Sequence, residues 1–537
     1  MKRNLLCAFI APLLVLGVNG NKQVEKNEEF HSKIIYDDSL NKTMNNQEEG
    51  NEERGKVNLN VHLDYEDFSF RAILDIESVE EYKNNKLMAA KEYYKRKNNE
   101  FITENQQLVT ESMYISSYGP FIAYDYDNLN DCTYLISKLE AKEEIDEVVV
   151  KEIKENKNFL ERAKEIVKAH NYIYNSTLTG KGVTIGILES GIVDKNHENF
   201  KNTDLTVRDE WYYKETVTDH STIMASIIAG QYGIAKEAKI LSVELSGGPE
   251  SEIDWLLDRG VDIINLSYGD EKPNGSYSVK SAYMDYIANQ YGITFVAAAG
   301  NENENVVNPG LGYNVLTIGS CDISQAPQVS SFSGYKVVNG PLKPNLVAPG
   351  ENVNVKPFGL QDGTSVSTAI TTGCIALLME NEPSLKLHPE RVIALLSANA
   401  TSLSSDTFGK IDDKSGVGLL NFDNAYKNKY KAFYRYNTSQ SHITSKLSIN
   451  VNENDKIRIA MAWLANANGK ANGTSLTDYD LRLYNENDLL VKSSATSRNN
   501  VEFIEVTAKS TGTYKIELFQ YGDKVKDDNI AVYYKIN

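Results

Sequence analysis

Short apolar runs that alternate with helix-like stretches over residues 183–318 constrain the fold of this chain most strongly. Each run is four to six residues long, which is typical of strands buried on both faces. The runs are Val183–Leu188, Ala238–Val243, Asp262–Leu266, Ile293–Ala298 and Val315–Ile318. Helical stretches separate most of them, at 222–229, 251–257 and 278–290, and two more helices are expected at Thr364–Glu380 and His388–Ala398. Strands alternating with helices predict an α/β domain with a parallel sheet covered by helices on both faces.

The regions on either side of this pattern differ from it in composition and in their predicted elements. Residues 21–58 are rich in Asn, Glu and Lys, and we interpret them as a polar linker. Residues 59–153 mix helical and strand-like segments, which predicts a small α+β domain. Residues 431–537 contain seven strand-like segments punctuated by Asn, Asp and Gly, which favours a β-sandwich or jelly roll. The α/β domain then occupies 154–430.

Composition excludes several classes of function. The chain has 537 residues, 41% of them hydrophobic and 24% charged, as in ordinary folded soluble proteins. Its net charge is -18, from 74 acidic and 56 basic residues, which argues against a nucleic-acid partner. The 4 cysteines are too few for a disulfide scaffold, and we expect Cys132, Cys321 and Cys374 to be buried apolar residues.

The first 20 residues have the layout of a secretory signal peptide. A basic start, Met1–Asn4, precedes an apolar run from Leu5 to Val18, and Val18–Gly20 offers a plausible cleavage site. The apolar run is short for a membrane span, although an uncleaved membrane anchor is the alternative. No later run reaches 18 apolar residues. We therefore expect a secreted or cell-surface protein without a membrane span apart from this segment.

Four segments of the α/β domain carry residues suited to acyl transfer. Glu189 ends the first buried strand, and His220 lies just ahead of or within the first turn of an apolar helix. Asn301 follows the small residues 297–300 at a strand exit, where its amide can donate to an oxyanion. Ser365 begins a long helix, whose N-terminus favours negative charge. Each residue alone has an ordinary structural explanation, but their conjunction does not.

The order acid, histidine, amide donor, serine is that of the subtilisin triad with its oxyanion hole, and the chain resembles the subtilisin-like serine proteases. The resemblance covers residues from about 180 to 426. It includes further segments that match the family: Ser267-Tyr268-Gly269, Ser331–Gly334, Lys343–Gly350 and Gly416–Leu419.

The resemblance implies a subtilisin-like fold and a secreted serine endopeptidase. Ser365 would be the nucleophile, His220 the general base, Glu189 the orienting acid and Asn301 an oxyanion donor. The segments Ser267, Tyr268, Gly269 and Ala298, Ala299, Gly300 would bind the substrate as added strands. Protein or peptide substrates are then the expected partners. So is the protein's own propeptide, residues 59–153, cleaved between about 150 and 180.

The sequence also departs from the family pattern. Glu189 stands where the family usually has Asp, and Asp219 and Ser221 flank His220 where Gly is usual. Val366-Ser367 replaces the usual Met-Ala after the nucleophile. Asp194 is an alternative acid, and a catalytically weak or inactive protein with a binding or regulatory role is the alternative function. We expect no cofactor; Asp478 and Asp480 could bind calcium, but a solvated strand end is the favoured interpretation.

Overall fold

The computed structural model describes most of the chain. The described residues are 34–36, 57–63, 79–110, 113–117, 119–126, 129–140, 142, 145–152, 162–175, 178–208, 216–245, 248–270, 274–403, 411–437, 444–470, 473–522 and 528–537. The predicted signal peptide, residues 1–20, lies outside them. Within the described residues, no helix is both long enough and apolar enough to cross a membrane.

An N-terminal α+β unit precedes the α/β domain. Its elements are β1 (Ile34–Tyr36), β2 (Val57–Leu63), α1 (Val79–Glu104), β3 (Met113–Ile115), β4 (Phe121–Tyr126), α2 (Leu129–Glu140) and β5 (Ile145–Glu152). The strands form one sheet in the order β1-β5-β2-β4-β3. Here the structure differs from the linker predicted over 21–58. Residues 34–36 pair in parallel with 148–150, and β2 begins at Val57. The triplet Ile34-Ile35-Tyr36 consists of residues that favour strands, but the polar residues around it dominate the composition of 21–58.

The middle domain, residues 162–428, contains the predicted parallel sheet. Its elements are α3 (Ala163–Ile166), α4 (His170–Asn175), β6 (Thr184–Glu189), β7 (Leu205–Val207), α5 (Asp219–Ala229), β8 (Lys239–Glu244), α6 (Glu250–Leu257), β9 (Ile263–Leu266), α7 (Val279–Tyr291), β10 (Thr294–Ala298), β11 (Val315–Cys321), β12 (Leu346–Pro349), β13 (Val353–Val355), β14 (Gly359–Gln361), α8 (Thr364–Asn381), α9 (Pro389–Asn399) and α10 (Phe422–Asn428). Seven parallel strands follow the order β12-β11-β10-β9-β6-β8-β7, so the predicted α/β architecture is confirmed.

Helices cover both faces of this sheet because side chains alternate along each strand. Ile185 and Ile187 of β6 pack in the cluster that contains α5, α8 and α9, whereas Leu188 packs in the cluster that contains α6 and α7. Nearly every strand residue is buried, which explains why the strands read as continuous apolar runs in the sequence.

The C-terminal strands form two four-stranded sheets. The strands are β15 (Ala432–Asn437), β16 (Thr444–Val451), β17 (Lys456–Trp463), β18 (Asp478–Tyr484), β19 (Leu490–Ser494), β20 (Val501–Thr507), β21 (Gly512–Tyr521) and β22 (Asp528–Ile536). The sheet orders are β15-β22-β17-β20 and β16-β21-β18-β19, and all pairs are antiparallel. Apolar residues from both sheets form one cluster, as expected for a β-sandwich. Strand β15 was not among the predicted strands.

Two different interfaces join the flanking units to the middle domain. Phe121 of β4 packs with its ring edge against Tyr283 and Tyr286 of α7, at centroid distances of 4.8 and 5.8 Å. The β-sandwich also shares a core with the middle domain: Ala460, Phe503 and Tyr533 belong to the same apolar cluster as α8 and α9.

Candidate active site

Several of the predicted site residues lie at the carboxyl ends of the central strands. Strands β7 and β8 extend the sheet to one side of β6, and β9 to β12 extend it to the other. In open α/β sheets, ligands bind outside the carboxyl ends at such a change of direction. Glu189 is the last residue of β6, Ser267 follows β9, and Asn301 lies three residues beyond β10.

The carboxylate of Glu189 faces the imidazole of His220. Glu189 Oε2 lies 3.3 Å from His220 Nδ1, and both side chains are buried, with 0% and 4% exposure. The other oxygen, Oε1, accepts hydrogen bonds from the Ser267 backbone N–H (2.7 Å) and from the Asn265 side-chain amide (3.2 Å). These two donors fix the carboxylate, so that its second oxygen is directed at the histidine.

His220 is the second residue of helix α5. Thr218 caps this helix, because its side-chain oxygen accepts a hydrogen bond from the Ser221 N–H at 3.3 Å. The Ser221 hydroxyl donates to the Gly191 carbonyl at 2.5 Å, which ties the start of the histidine helix to the loop after Glu189. Ser221, one of the departures from the family pattern, therefore helps to set the distance between acid and base.

Ser365 is the second residue of helix α8. Gly363 precedes the helix with a φ of 147°, a conformation that residues with a side chain rarely adopt. The serine is 2% exposed, and its backbone carbonyl accepts a hydrogen bond from Ser267 Oγ at 3.0 Å. Ser267 thus touches both Glu189 and Ser365, and it links the acid strand to the serine helix.

The side chain of Asn301 has a fixed orientation next to this helix. Its Oδ1 accepts hydrogen bonds from the N–H and the hydroxyl of Thr364, at 2.8 and 2.9 Å. The Thr364 hydroxyl in turn accepts from the Gly300 N–H at 3.1 Å. Since the carbonyl oxygen of the amide is held by the residue before Ser365, the amide nitrogen is directed away from Thr364 and can serve as a donor.

The two predicted substrate segments differ in whether their backbone N–H and C=O groups are already hydrogen-bonded within the protein. The Ala299 N–H donates to Ile318, and the Ala299 carbonyl accepts from Val307. The Gly300 N–H donates to Thr364, and its carbonyl accepts from Gly334. The backbone groups of Ala299 and Gly300 are therefore already used within the protein, and the binding of substrate by residues 298–300 stays a prediction.

The other segment, Ser267-Tyr268-Gly269, is suited to pairing with an extended substrate. In the described part of the chain, the backbone N–H and C=O groups of Tyr268 and Gly269 form no hydrogen bond. Ser267 is tied to Glu189, and Asp270 donates its N–H to Asn308 at 3.3 Å, so both ends of the segment are anchored. Burial raises the pKa of the Tyr268 phenol well above its usual value, which keeps this side chain neutral.

The alternative acids lie elsewhere. Asp194 accepts a hydrogen bond from the Asn196 N–H at 2.9 Å and is part of its own loop. Asp219 is exposed at the start of α5. Among the described residues, Glu189 is the carboxylate within ion-pair distance of His220.

Sequence reasoning missed a polar chain behind the site. The Thr372 hydroxyl of α8 donates to the side-chain oxygen Oδ1 of Asn265 at 2.9 Å. The side-chain NH₂ of Asn265 in turn donates to Glu189 and to the Ser267 hydroxyl (2.8 Å). Asn265 is 0% exposed in the middle of a buried apolar strand. An amide at such a position must be hydrogen-bonded, and this was the one available indication in the sequence.

No metal centre is apparent in the described residues. Among them, no group of three or more His, Cys, Asp or Glu side chains is arranged to hold a metal ion. At the proposed calcium position, Asp480 forms an ion pair with Arg482 at 2.7 Å. Cys321 and Cys374 are buried free thiols. Cys132 lies in α2, but its side chain is not among those that the structure describes.

Comparison with known proteins agrees with this geometry. The model of the subtilase family of peptidases matches residues 180–418. Serine protease AprX of Bacillus subtilis (strain 168) is 27% identical over 51% of this chain and 72% of its own length. A cuticle-degrading serine protease of Arthrobotrys oligospora is 31% identical over 34% of this chain, which spans less than half of that relative (47%). Subtilisin NAT of Bacillus subtilis subsp. natto is 25% identical over 52% of this chain and 78% of its own length.

Among solved structures, the prenylagaramide maturation protease PagA is 26% identical, with a TM-score of 0.40 over 50% of this chain and 98% of that one. The family match covers every strand and helix from β6 to α9, including all four predicted site residues. Residues 180–418 therefore form a domain of the subtilase family.

Proposed function

We propose that this chain is an active, secreted serine endopeptidase that hydrolyses peptide bonds through an acyl-enzyme on Ser365. The observation that carries the proposal is the orientation of Glu189, which Ser267 and Asn265 hold with its free oxygen 3.3 Å from His220 Nδ1. A carboxylate in this position keeps the proton on Nδ1 and leaves Nε2 as a base. Within the described residues, Glu189 Oε2 and both nitrogens of His220 form no hydrogen bond, so the acid and the histidine are at ion-pair distance and His220 is not hydrogen-bonded to Ser365 in this structure.

The proposed reaction has two steps. Ser365 Oγ attacks the substrate carbonyl carbon while His220 Nε2 takes its proton, and the oxyanion is bound by the Asn301 amide and the Ser365 N–H. Collapse of this intermediate breaks the C–N bond, and His220 gives its proton to the leaving amine. Water then attacks the acyl-enzyme by the same route and regenerates the free serine.

The N-terminal unit is proposed to be a propeptide. It contacts the middle domain through apolar packing of Leu87, Ala90 and Phe121 in the cluster of α6 and α7 and through a few polar groups. The Asp254 carboxylate of α6 accepts hydrogen bonds from the Tyr114 hydroxyl (2.6 Å), the Ser116 hydroxyl (2.7 Å) and the Ser117 N–H (2.5 Å). Tyr94 and Tyr286 share a hydrogen bond between their hydroxyls at 2.6 Å. Such an interface can hold the unit during folding and release it after cleavage. The basic and apolar first 20 residues support export.

An activity-based probe tests the enzymatic role directly. A biotinylated peptidyl phosphonate should label the mature protein covalently, and Ser365→Ala should abolish labelling without changing the circular dichroism spectrum. Labelling that persists in Ser365→Ala would reject Ser365 as the nucleophile.

One observation favours a non-catalytic protein. The 3.3 Å separation of Glu189 Oε2 and His220 Nδ1 exceeds the usual 2.7–2.9 Å of a charge-assisted hydrogen bond. In the absence of substrate, however, catalytic hydrogen bonds are often long and tighten in the complex. A folded wild-type protein that reacts with no phosphonate and cleaves no peptide would support a binding or regulatory role instead.

A further inference from the structure

Two glycines in the predicted substrate segments face the same side chain. A β-carbon added to Gly269 would lie 2.2 Å from Val307 Cγ2, and one added to Gly300 would lie 2.6 Å from Val307 Cγ1. Both distances are far below a van der Waals contact. Gly269 follows β9 and Gly300 follows β10, so the isopropyl group of Val307 fills the space between these neighbouring segments.

Val307 is anchored on both sides of this gap. Its N–H donates to the Ala299 carbonyl at 3.1 Å, and the carbonyl of the next residue, Asn308, accepts from the Asp270 N–H at 3.3 Å. The side chain is 5% exposed. Because a β-branched side chain is also stiff at χ1, Val307 has little freedom to move aside for a ligand.

The gap is the place where a substrate side chain would enter. Ser267, at the start of the first segment, touches the Ser365 carbonyl, and Asn301, at the end of the second, contacts Thr364 beside Ser365. A peptide paired with Tyr268 and Gly269 therefore presents the residue that supplies the attacked carbonyl, called P1, at the space between the segments.

We propose that Val307 is the residue that sets substrate specificity, and that it closes this space so that the protein cleaves after small residues, namely Gly, Ala and Ser. The inference rests on the proposed function and names its substrate class. A leucine or phenylalanine side chain requires volume that the valine occupies, so the smallest side chains are the ones expected at this position.

The test compares matched peptide anilides that differ only at P1. After active-site titration with the phosphonate, the wild-type kcat/KM should be at least about 100-fold higher for P1 Ala than for P1 Phe, since single methylene differences already change it about 10–200-fold. Val307→Ala should raise kcat/KM for Phe about tenfold or more and change that for Ala less than about threefold. Val306→Ala is the matched control, because Val306 is equally buried and its substitution should leave the Phe-to-Ala ratio unchanged.

The outcomes separate this inference from the function on which it rests. A titratable protein that cleaves after Phe as fast as after Ala overturns the role of Val307 and leaves the protease intact. A Val307→Ala variant that keeps the wild-type Phe-to-Ala ratio of kcat/KM likewise overturns the role of Val307 and leaves the protease intact. A protein that reacts with no phosphonate and cleaves no anilide overturns the proposed function and this inference with it. The wild-type profile needs no variant, so the inference stays testable even if Val307→Ala fails to fold.

Discussion

Several of the residues that depart from the family pattern are hydrogen-bonded within the site. Ser221 donates to Gly191, and Ser367 donates to the carbonyls of Ala348 (2.9 Å) and Pro349 (3.2 Å) at the end of β12. Glu189 receives two donors on one oxygen. A buried hydroxyl or carboxylate without partners would destabilise the fold. These residues therefore belong to one consistent local arrangement, in which a longer acid is held in place.

Glu189→Gln should reduce kcat by about 10²–10⁴. The amide oxygen would take the place of Oε1 at the Ser267 N–H, and the NH₂ group would then face His220 Nδ1. A donor in this position forces the ring proton onto Nε2, where a base is required. Steady-state kinetics on a P1 Ala anilide, normalised by active-site titration, would measure the loss.

Two variants serve as controls for this prediction. Asp194→Asn should retain wild-type kcat, because Asp194 bonds within its own loop. Glu189→Asp keeps the charge and should cost less than Glu189→Gln. Equal turnover of Glu189→Gln and wild type would exclude Glu189 as the orienting acid.

At the scale of elements, the sequence predicted helices and strands that have a repeating apolar pattern. It missed elements and contacts that form only when distant segments of the chain pair. Five of the seven parallel strands and helix α8 were predicted, four of these strands to within one residue, because continuous burial produces continuous apolar runs. The edge strands β7 and β12 were missed, and β11 extends three residues past the predicted end. Strand β15 was missed because its residues 434–436 are exposed and polar or aromatic, and only pairing with β22 defines it. Likewise, Asn265, Thr364 and Val307 acquire their roles only when distant segments meet.

Docking of the N-terminal unit should weaken as pH rises. Burial raises the pKa of Asp254 to about 7, although three hydrogen bonds from β3 and the following residues oppose this shift. The neighbouring charged groups are Asp258, which raises the pKa further, and Glu252, which is paired with Arg208 at 2.9 Å. Because the docked state favours the protonated carboxyl, docking should be strongest below about pH 4, the usual pKa of an exposed Asp, and weaken up to about pH 7.

Hydrogen exchange of the unprocessed Ser365→Ala chain would measure this effect. After correction for intrinsic rates, protection of β4 should fall by up to about tenfold per pH unit between pH 5 and 7. Asp254→Asn should abolish the dependence, since it keeps the shape and removes the titrating group. The same pH dependence in both proteins would show that another group is responsible.

At the scale of the whole molecule, Arg458 connects the β-sandwich to the middle domain. Its guanidinium pairs with Glu505 at 2.8 Å and donates to the backbone carbonyls of Ala398 (3.2 Å) and Val417 (2.7 Å). Both charged side chains are nearly fully buried, at 4% and 7% exposure. Together with the shared apolar cluster, this contact makes the two domains one cooperative unit.

Arg458→Ala should therefore destabilise the entire mature chain by about 3–5 kcal/mol, because it leaves a buried carboxylate unpaired. Denaturant titration of the Ser365→Ala protein, followed by circular dichroism, should show a single transition with a lower midpoint. Lys515→Ala removes a largely solvent-exposed ion pair with Asp488 in the same sandwich and should leave the midpoint unchanged. Two separate transitions in the parent protein would contradict a shared core.

The structure also narrows the interval in which maturation occurs. Strand β5 ends at Glu152, whereas Ala163, Val167 and Ala169 are 0% exposed in the core of the middle domain. Cleavage after Ala163 or later would remove buried residues from that core. The first residue of the mature chain should therefore lie between 153 and 163.

If Ser365 performs this cleavage, the pocket narrowed by Val307 favours the smallest available side chain. Residues 152–162 contain no Gly, Ala or Ser, and Asn156 and Asn158 are the smallest residues there. N-terminal sequencing should then find Lys157 or Phe159 first, and Ser365→Ala should accumulate the precursor. A mature N-terminus in normal abundance from Ser365→Ala would assign the cut to another protease.

The unequal attachment of the two flanking units has a consequence for how such chains diversify. Among its described residues, the N-terminal unit contributes only Leu87, Ala90 and Phe121 to the apolar cluster of α6 and α7, besides a few hydroxyl and carboxylate contacts, so related genes could exchange this piece and retain a foldable product. The β-sandwich contributes Ala460, Phe503 and Tyr533 to the core beneath α9. An insertion or a larger side chain on α9 therefore requires a matching change on β17, β20 or β22, and these two parts of the gene should be inherited together.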